Sequence, residues 1–309
     1  MGTRIGVGLL GLGTVGCGVA GILQTPEGRH PLVAELELVR VAIRDLQRPR
    51  PIALPESVLT NDPQAVVDDP AVQVVVEVMG GIEPARTLIM RAIAAGKAVV
   101  TANKAVIARH GEEIAAAAAA AGVYVLIEAA VGGGIPIIEP LKQSLGGNQI
   151  ERVTGIINGT TNYILSRMAQ EGVAYEEVLK DAQDLGYAEA DPAADVEGLD
   201  AADKIAILTG LAFGGPIDRA SIPTQGISNL QSRDVDYAKQ LGYAVKLLAV
   251  AERLNSEVHT SRSLPLSVRV QPTLIPLDHP LAGVNEVNNA ILVEGDPIGR
   301  VMFYGPGAG

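Results

Sequence analysis

The chain has 309 residues, of which 48% are hydrophobic, a length that suits about two domains with a core each. A formal net charge of −11 argues against nucleic acid as a partner, because phosphate binding needs clustered lysine and arginine. The apolar runs are too short for a membrane crossing. The first residues lack the apolar core and small-residue cleavage site of a leader, so a cytoplasmic protein is expected.

Cys17 is the single cysteine, which leaves neither an internal disulfide nor a cysteine metal cluster. Inside a predicted helix it reads as a packing residue. The histidines, at 30, 110, 259 and 279, show no metal-ligand spacing.

Residues 4–10, RIGVGLL, form a short apolar run that reads as a strand buried on both faces. It feeds Gly11-Leu12-Gly13-Thr14-Val15-Gly16 and then a helix to about residue 24. A GxGxxG alone is weak, since glycine-rich turns are common. Here it follows a strand and opens a helix, the context that a dinucleotide site requires. The glycines permit a tight turn, approach of backbone to a pyrophosphate, and close helix packing, while the helix N-terminus favours phosphates. A second strand, 35–43, ends in Arg44-Asp45. At this place an acid grips the ribose hydroxyls of NAD and an arginine accommodates the 2′-phosphate of NADP. Arg44, with Arg48 and Arg50 close behind, tilts the reading towards NADP; the alternative is a solvated basic loop.

Residues 72–78 read as a third strand, followed by Met79-Gly80-Gly81 and a helix from about 84. A fourth strand, 98–101, ends in Ala102-Asn103-Lys104. An alanine-dominated helix, 112–121, is closed by Gly122, and 124–128 is a fifth strand. This alternation predicts an α/β fold with a Rossmann-like, doubly wound parallel sheet. Ligands of such sheets sit beyond the carboxyl ends of the strands. Gly80 and Lys104 are therefore candidate neighbours of cofactor or substrate, against an ordinary exposed lysine at a helix start.

The alternation stops after Glu128. Residues 131–136, VGGGIP, form a glycine-rich hinge free to expose carbonyls. A strand at 151–158, a helix from about 163, and strand-like runs at 245–253, 266–270 and 290–294 predict an α+β second domain with an open, mainly antiparallel sheet.

The densest chemistry lies at 186–204, GYAEADPAADVEGLDAADK, ahead of the uncharged IAILTGLAF. Residues 199–213 read as a buried helix, and Asp200 and Lys204 share one of its faces. A buried acid and amine are costly unless paired or used. On local pattern a structural ion pair is as good a reading as a functional one. Asp191-Pro192 has the look of a helix start, and Gly186 and Gly198 break the segment. This spacing lets Glu189, Asp195, Asp200 and Lys204 aim at one cavity. Such a set suits a small zwitterion, its ammonium meeting carboxylates and a reacting oxygen meeting lysine.

With these residues in hand, the chain resembles homoserine dehydrogenase over nearly its whole length. The resemblance rests on GLGTVG at 11–16, TANK at 101–104, EAAVGGGIPI at 128–137, INGTTNYIL at 157–165, the acidic segment, QPTLIP at 271–276 and FYGPGAG at the end. It implies a dinucleotide-binding domain of residues 1–130 plus 299–309, closed by the C-terminus, and a substrate-binding, catalytic and dimerisation domain of 131–298. It implies interconversion of L-homoserine and L-aspartate 4-semialdehyde with NAD(P), on the route to threonine, isoleucine and methionine, by a homodimer. Lys204 would be the proton donor to the carbonyl oxygen, and Lys104 a second lysine reaching substrate and nicotinamide. Glu189 and Asp200 would bind substrate, with Asp195 in support. Gly11, Gly13, Thr14, Val15, Gly16, Arg44, Gly80, Gly186 and Gly309 would contact the cofactor. A sodium ion would fall on Glu128 and the carbonyls of Val131, Gly133 and Ile135, in keeping with the preference of hard cations for oxygen. The family's regulatory ACT module is not in this sequence, so no threonine feedback through it is expected. Relatives continue past GPGAG with a helix packed on the first domain, and its loss would weaken that domain. The alternatives are another nicotinamide-dependent reductase of an amino-acid aldehyde or keto acid, and a non-catalytic dinucleotide-binding regulator.

Overall fold

The structure is a computed structural model that describes residues 4–215, 217–254 and 266–307. The chain divides into two compact units, with the division between Ala130 and Val131.

In the first unit the strands are β1 (Ile5–Leu10), β2 (Leu36–Ala42), β3 (Leu59–Thr60), β4 (Val74–Glu77), β5 (Ala98–Thr101) and β6 (Val125–Leu126). They alternate with α1 (Thr14–Gln24), α2 (Pro63–Asp68), α3 (Ala85–Ala94) and α4 (Lys104–Ala121). The strands form one sheet in the order β3-β2-β1-β4-β5-β6, with every pairing parallel. Strand order reverses between β1 and β4, where doubly wound sheets bind their ligands. Val7, Leu9, Val41 and Val76 join Ala20 of α1 in a core on one side of the sheet.

Local chemistry moves several expected boundaries. Helix α4 begins at Lys104, not near residue 112, because the Asn103 side chain accepts the Val106 N–H at 3.2 Å and caps it. Gly122 closes it in the left-handed region at φ 66°. The expected strand 124–128 shortens to β6 and gives way to a 3₁₀ turn at Glu128–Ala130.

The second unit has helices α5 (Ile138–Lys142), α6 (Gly159–Glu171), α7 (Tyr175–Asp184), α8 (Ala193–Val196), α9 (Leu199–Phe213) and α10 (Ser232–Gln240). Its strands are β7 (Gln149–Ile156), β8 (Tyr243–Arg253), β9 (Leu266–Pro276), β10 (Asn288–Asp296) and β11 (Gly299–Pro306), in the order β11-β10-β7-β8-β9. All four neighbouring pairs are antiparallel. Segment 299–309, expected to return to the first unit, instead runs to Pro306 as edge strand β11, in register with β10 from Asn288↔Pro306 to Gly295↔Gly299. Backbone pairing decides this, since the alternating burial of β11 is that of a half-covered edge strand.

Register places Ile156, Leu248, Val250, Ala290 and Leu292 on one face, where they pack with Ile275, Leu281 and Val284. Further along that face a charge ladder crosses all five strands: Arg300–Glu294 (2.8 Å), Glu294–Arg152 (3.9 Å), Arg152–Glu252, and Glu252–Arg269 (2.6 Å). Opposite charges set on neighbouring strands stabilise one register.

Lys246 lies on β8, 3% exposed. Among the described residues its ammonium donates only to neutral oxygens, Asn162 Oδ1 at 3.2 Å, Asn285 Oδ1 at 3.1 Å and the Val284 carbonyl. Burial pushes the amine down to about 8. Between that value and the ordinary lysine range the unfolded chain binds a proton that the folded chain has released, so stability rises with pH there and is flat below it. We expect the stability of the protein, measured by urea denaturation relative to Lys246→Met, to increase by about 2 kcal/mol between roughly pH 8 and 10. A difference independent of pH would show that the ammonium persists in the fold.

Candidate active site

Two glycines of the GxGxxG have a steric reason within the chain, and the third stands in open space. Gly11 sits at φ 104°, and a Cβ there would lie 2.8 Å from the Val78 carbonyl oxygen. At Gly16 a Cβ would meet the Gly11 carbonyl oxygen at 2.2 Å, so only glycine lets α1 close on the turn. At Gly13, the residue before α1, nothing lies within 4 Å of that position, which leaves backbone open to a pyrophosphate. Thr14 and Val15 are exposed in the first turn of α1, which holds no acidic residue. An anion is favoured at such a terminus.

Beyond β2, Asp45 turns its carboxylate onto its own loop, accepting the Gln47 N–H at 2.9 Å. Arg50 holds the same loop through the carbonyls of Asp45 (3.0 Å) and Arg48 (2.9 Å). Arg44 is exposed and has no ion pair or hydrogen bond among the described residues. The loop is thus built by Arg50 and Asp45, with the Arg44 guanidinium left to solvent.

At the ends of β4 and β5 lies a polar network that sequence reading missed. Glu77 is fully buried. It accepts the Met79 N–H at 2.8 Å and the Thr101 hydroxyl at 2.6 Å. Thr101 accepts the Asn103 N–H at 3.0 Å, and Asn103 Nδ2 donates to the Gly81 carbonyl at 2.7 Å. Gly80, at φ 75°, and Lys104, first residue of α4, are therefore carried by loops tied to one carboxylate. An acid ending an apolar strand, three residues before a Gly-Gly, was the available signal.

In the second unit the end of β7 and the start of α6 gather the chemistry. Lys204 Nζ lies 2.8 Å from Asp200 Oδ2 and donates to the Ile157 carbonyl at 2.7 Å. The side chains are 13% and 5% exposed. Asn158 Nδ2 donates to Asp200 Oδ2 at 2.9 Å and to Asp195 Oδ1 at 2.7 Å. Asn158 Oδ1 accepts the Thr161 N–H at 2.9 Å and caps α6, which starts at Gly159 and not near 163 for that reason. Gly198, at φ 77°, separates α8 from α9 and lets Asp195 and Asp200 converge from different helices.

Of the residues singled out by sequence, Asp195, Asp200 and Lys204 are brought together. Glu189 is exposed in the loop after α7, held by its carbonyl to Gln183 Nε2 at 3.1 Å, and its carboxylate makes no hydrogen bond to that cluster. Gly186 ends α7 at φ 77°, and the Thr160 hydroxyl pins the same loop through the Tyr187 carbonyl at 2.7 Å. Gly309 lies outside the described residues. Asn158 and the Ile157 carbonyl were not picked from sequence, although Asn-Gly-Thr-Thr ahead of an apolar run is a helix-start signal.

A doubly wound sheet with an open glycine turn, and a largely buried lysine–carboxylate pair on a second unit, define a nicotinamide-dinucleotide-dependent oxidoreductase. The family model described as homoserine dehydrogenase, NAD binding domain, matches residues 11–128, and that described as homoserine dehydrogenase matches 136–309. The chain belongs to the homoserine dehydrogenase family. It is 60% identical over 303 residues to the homoserine dehydrogenase of Synechocystis, covering 98% of this chain and 69% of that protein. The solved homoserine dehydrogenase of Thiobacillus denitrificans is 49% identical with a TM-score of 0.89, covering 99% of this chain and 69% of that one. A hyperthermophilic archaeal homoserine dehydrogenase, solved in complex with NADPH, is 25% identical with a TM-score of 0.78, over 99% of this chain and 92% of that one.

Replacing Glu77 by alanine strands the Met79 N–H and the Thr101 hydroxyl without acceptors. We expect a loss of about 2–4 kcal/mol in urea denaturation, together with weaker NADPH binding by fluorescence titration. Unchanged stability would mean that water replaces the carboxylate.

Proposed function

We propose that this protein is a homoserine dehydrogenase that interconverts L-homoserine and L-aspartate 4-semialdehyde. The observation that carries this reading is the Lys204 ammonium, which spends two donors on Asp200 and the Ile157 carbonyl and keeps its third with no partner among the described residues.

A nicotinamide held here would supply the hydride exchange at the carbonyl carbon of the substrate. In the reducing direction the chain must supply a proton to the oxygen that becomes a hydroxyl. Lys204 donates it, after stabilising the negative charge that grows on that oxygen. In the oxidising direction the same amine takes the hydroxyl proton back. Asp200 orients the lysine, and the carboxylates of Asp195 and Asp200 favour the α-ammonium of an amino-acid substrate. Glu189 is assigned to that ammonium as well, and Lys104 to the second lysine of the reaction.

Cofactor fit is supported by the open backbone at Gly13, the close packing at Gly16 and the acid-free start of α1. Gly80, Gly186 and Gly309 are assigned to cofactor contacts on the family pattern. NADP is preferred over NAD in this reading, because Arg44 is unengaged while Asp45 is occupied by Gln47. A sodium ion is assigned to Glu128 and the carbonyls of Val131, Gly133 and Ile135. Gly132 and Gly133 at φ 80° and 53° turn successive carbonyls in different directions, giving the oxygen donors a hard cation takes. A cytoplasmic homodimer completes the reading, on the family resemblance and on the absence, among the described residues, of a helix long and apolar enough to cross a membrane.

The direct test follows nicotinamide absorbance during L-homoserine oxidation with NAD and NADP in parallel. Homoserine-dependent reduction is expected, and its absence in protein that binds NADPH would overturn the substrate assignment. Lys204→Ala should lower kcat by about 10²–10⁴-fold with cofactor binding retained; near-normal turnover would remove Lys204 as the acid. Arg44→Ala should raise KM for NADP about 10–100-fold and leave that for NAD unchanged, the loss of one charge-assisted phosphate contact. Equal losses for both would return Arg44 to a structural part.

A further inference from the structure

We infer that Asn158 is the positioning residue of the active cluster, acting on the reaction through Asp195, Asp200 and, by way of Asp200, Lys204. The inference rests on the homoserine dehydrogenase reading above. Asn158 is 5% exposed, and its amide has one possible orientation. Oδ1 accepts from the Thr161 N–H at 2.9 Å and the Thr161 hydroxyl at 3.0 Å. A reversed amide would aim a donor at that N–H and an acceptor at two carboxylates, so Nδ2 must face the acids.

With that orientation fixed, one nitrogen holds an oxygen of each carboxylate, at 2.7 Å and 2.9 Å. Two carboxylates this close repel, more strongly as water is excluded. The acids stand on α8 and α9, on either side of the Gly198 break, so Asn158 spans a joint that would otherwise let repulsion part them. The residue before it, Ile157, presents the carbonyl that holds Lys204. Strand β7 and the cap of α6 thus act as a rigid template for groups carried by two other helices. A misplacement of about 1 Å in such a constellation costs about 10²-fold in rate.

The experiment separates this positioning from the helix cap. Asn158→Ser keeps a side-chain oxygen for the Thr161 N–H, and serine is a good cap, but it offers one donor where the amide offers two. We expect Asn158→Ser to lose about 10²-fold in kcat for L-homoserine, with the NADPH dissociation constant within about twofold of the wild type and an unfolding midpoint within a few degrees. Asn158→Asp also keeps the cap but sets a third carboxylate beside the two, and should lose more in kcat than the serine variant. In a cycle with Asp195→Asn, the Asn158→Ser loss should shrink, because its partner is already gone. A serine variant that folds and turns over within about threefold of wild type, or losses that simply multiply in the cycle, overturns the inference. A wild-type protein without homoserine turnover overturns the underlying reading and this inference with it, so the two failures are told apart by the wild-type control.

Discussion

A carboxylate and an ammonium removed from water are costly, and their mutual attraction repays the cost only where further hydrogen bonds complete the geometry. The Asp200–Lys204 pair of α9 meets that condition through two neighbours at the end of β7. The Ile157 carbonyl takes one ammonium proton and the Asn158 amide takes the shared carboxylate oxygen. The third ammonium proton has no partner among the described residues, which suits the proposed role of Lys204 as proton donor. A purely stabilising pair would gain from satisfying it; a proton donor needs it available. The second unit is arranged accordingly. Strand β7 delivers the template, Gly198 lets two helix ends converge on it, and the sheet behind is fixed in register by the alternating ladder from Arg300 to Arg269.

The first unit solves a different problem with the same economy of parts. A dinucleotide offers phosphates and ribose edges, and at the first turn it is backbone that stands open to the pyrophosphate. The glycines of the first turn remove Cβ atoms where the backbone must approach or pack, and the helix start supplies the favourable field. Glu77 then does for this unit what Asn158 does for the other. One buried side chain ties the loop after β4 to the loop after β5, so that Gly80 and Lys104 ride on a common support. In both units the groups assigned to chemistry are held by polar residues with no chemical step of their own.

Buried polar groups with neutral partners are used differently elsewhere. Lys246 joins β8 to α6 and to the turn at Val284 and Asn285 with no carboxylate partner among the described residues. The contrast with Lys204 is instructive. One lysine is paired, partly exposed and poised beside a carbonyl and an acid; the other is sealed, held by amides and carbonyls, and its amine is pushed down by burial alone.

Much of this was determined by sequence alone. The βαβ alternation, the GxGxxG after an apolar strand, the buried character of 199–213 and the four-residue spacing of Asp200 and Lys204 are local properties, set by periodicity, turn chemistry and side-chain direction. Sequence marked Glu189, Asp195, Asp200 and Lys204 as one group because they share a short stretch. Only the tertiary structure decided what holds the last three, because Asn158 lies far from them in sequence and meets them through the end of a strand. It likewise decided that residues 299–306 join the second sheet and that Glu77 reaches Thr101. Those outcomes depend on strand order and backbone pairing between distant segments, and a local pattern carries no record of which distant segment will complete its hydrogen bonds.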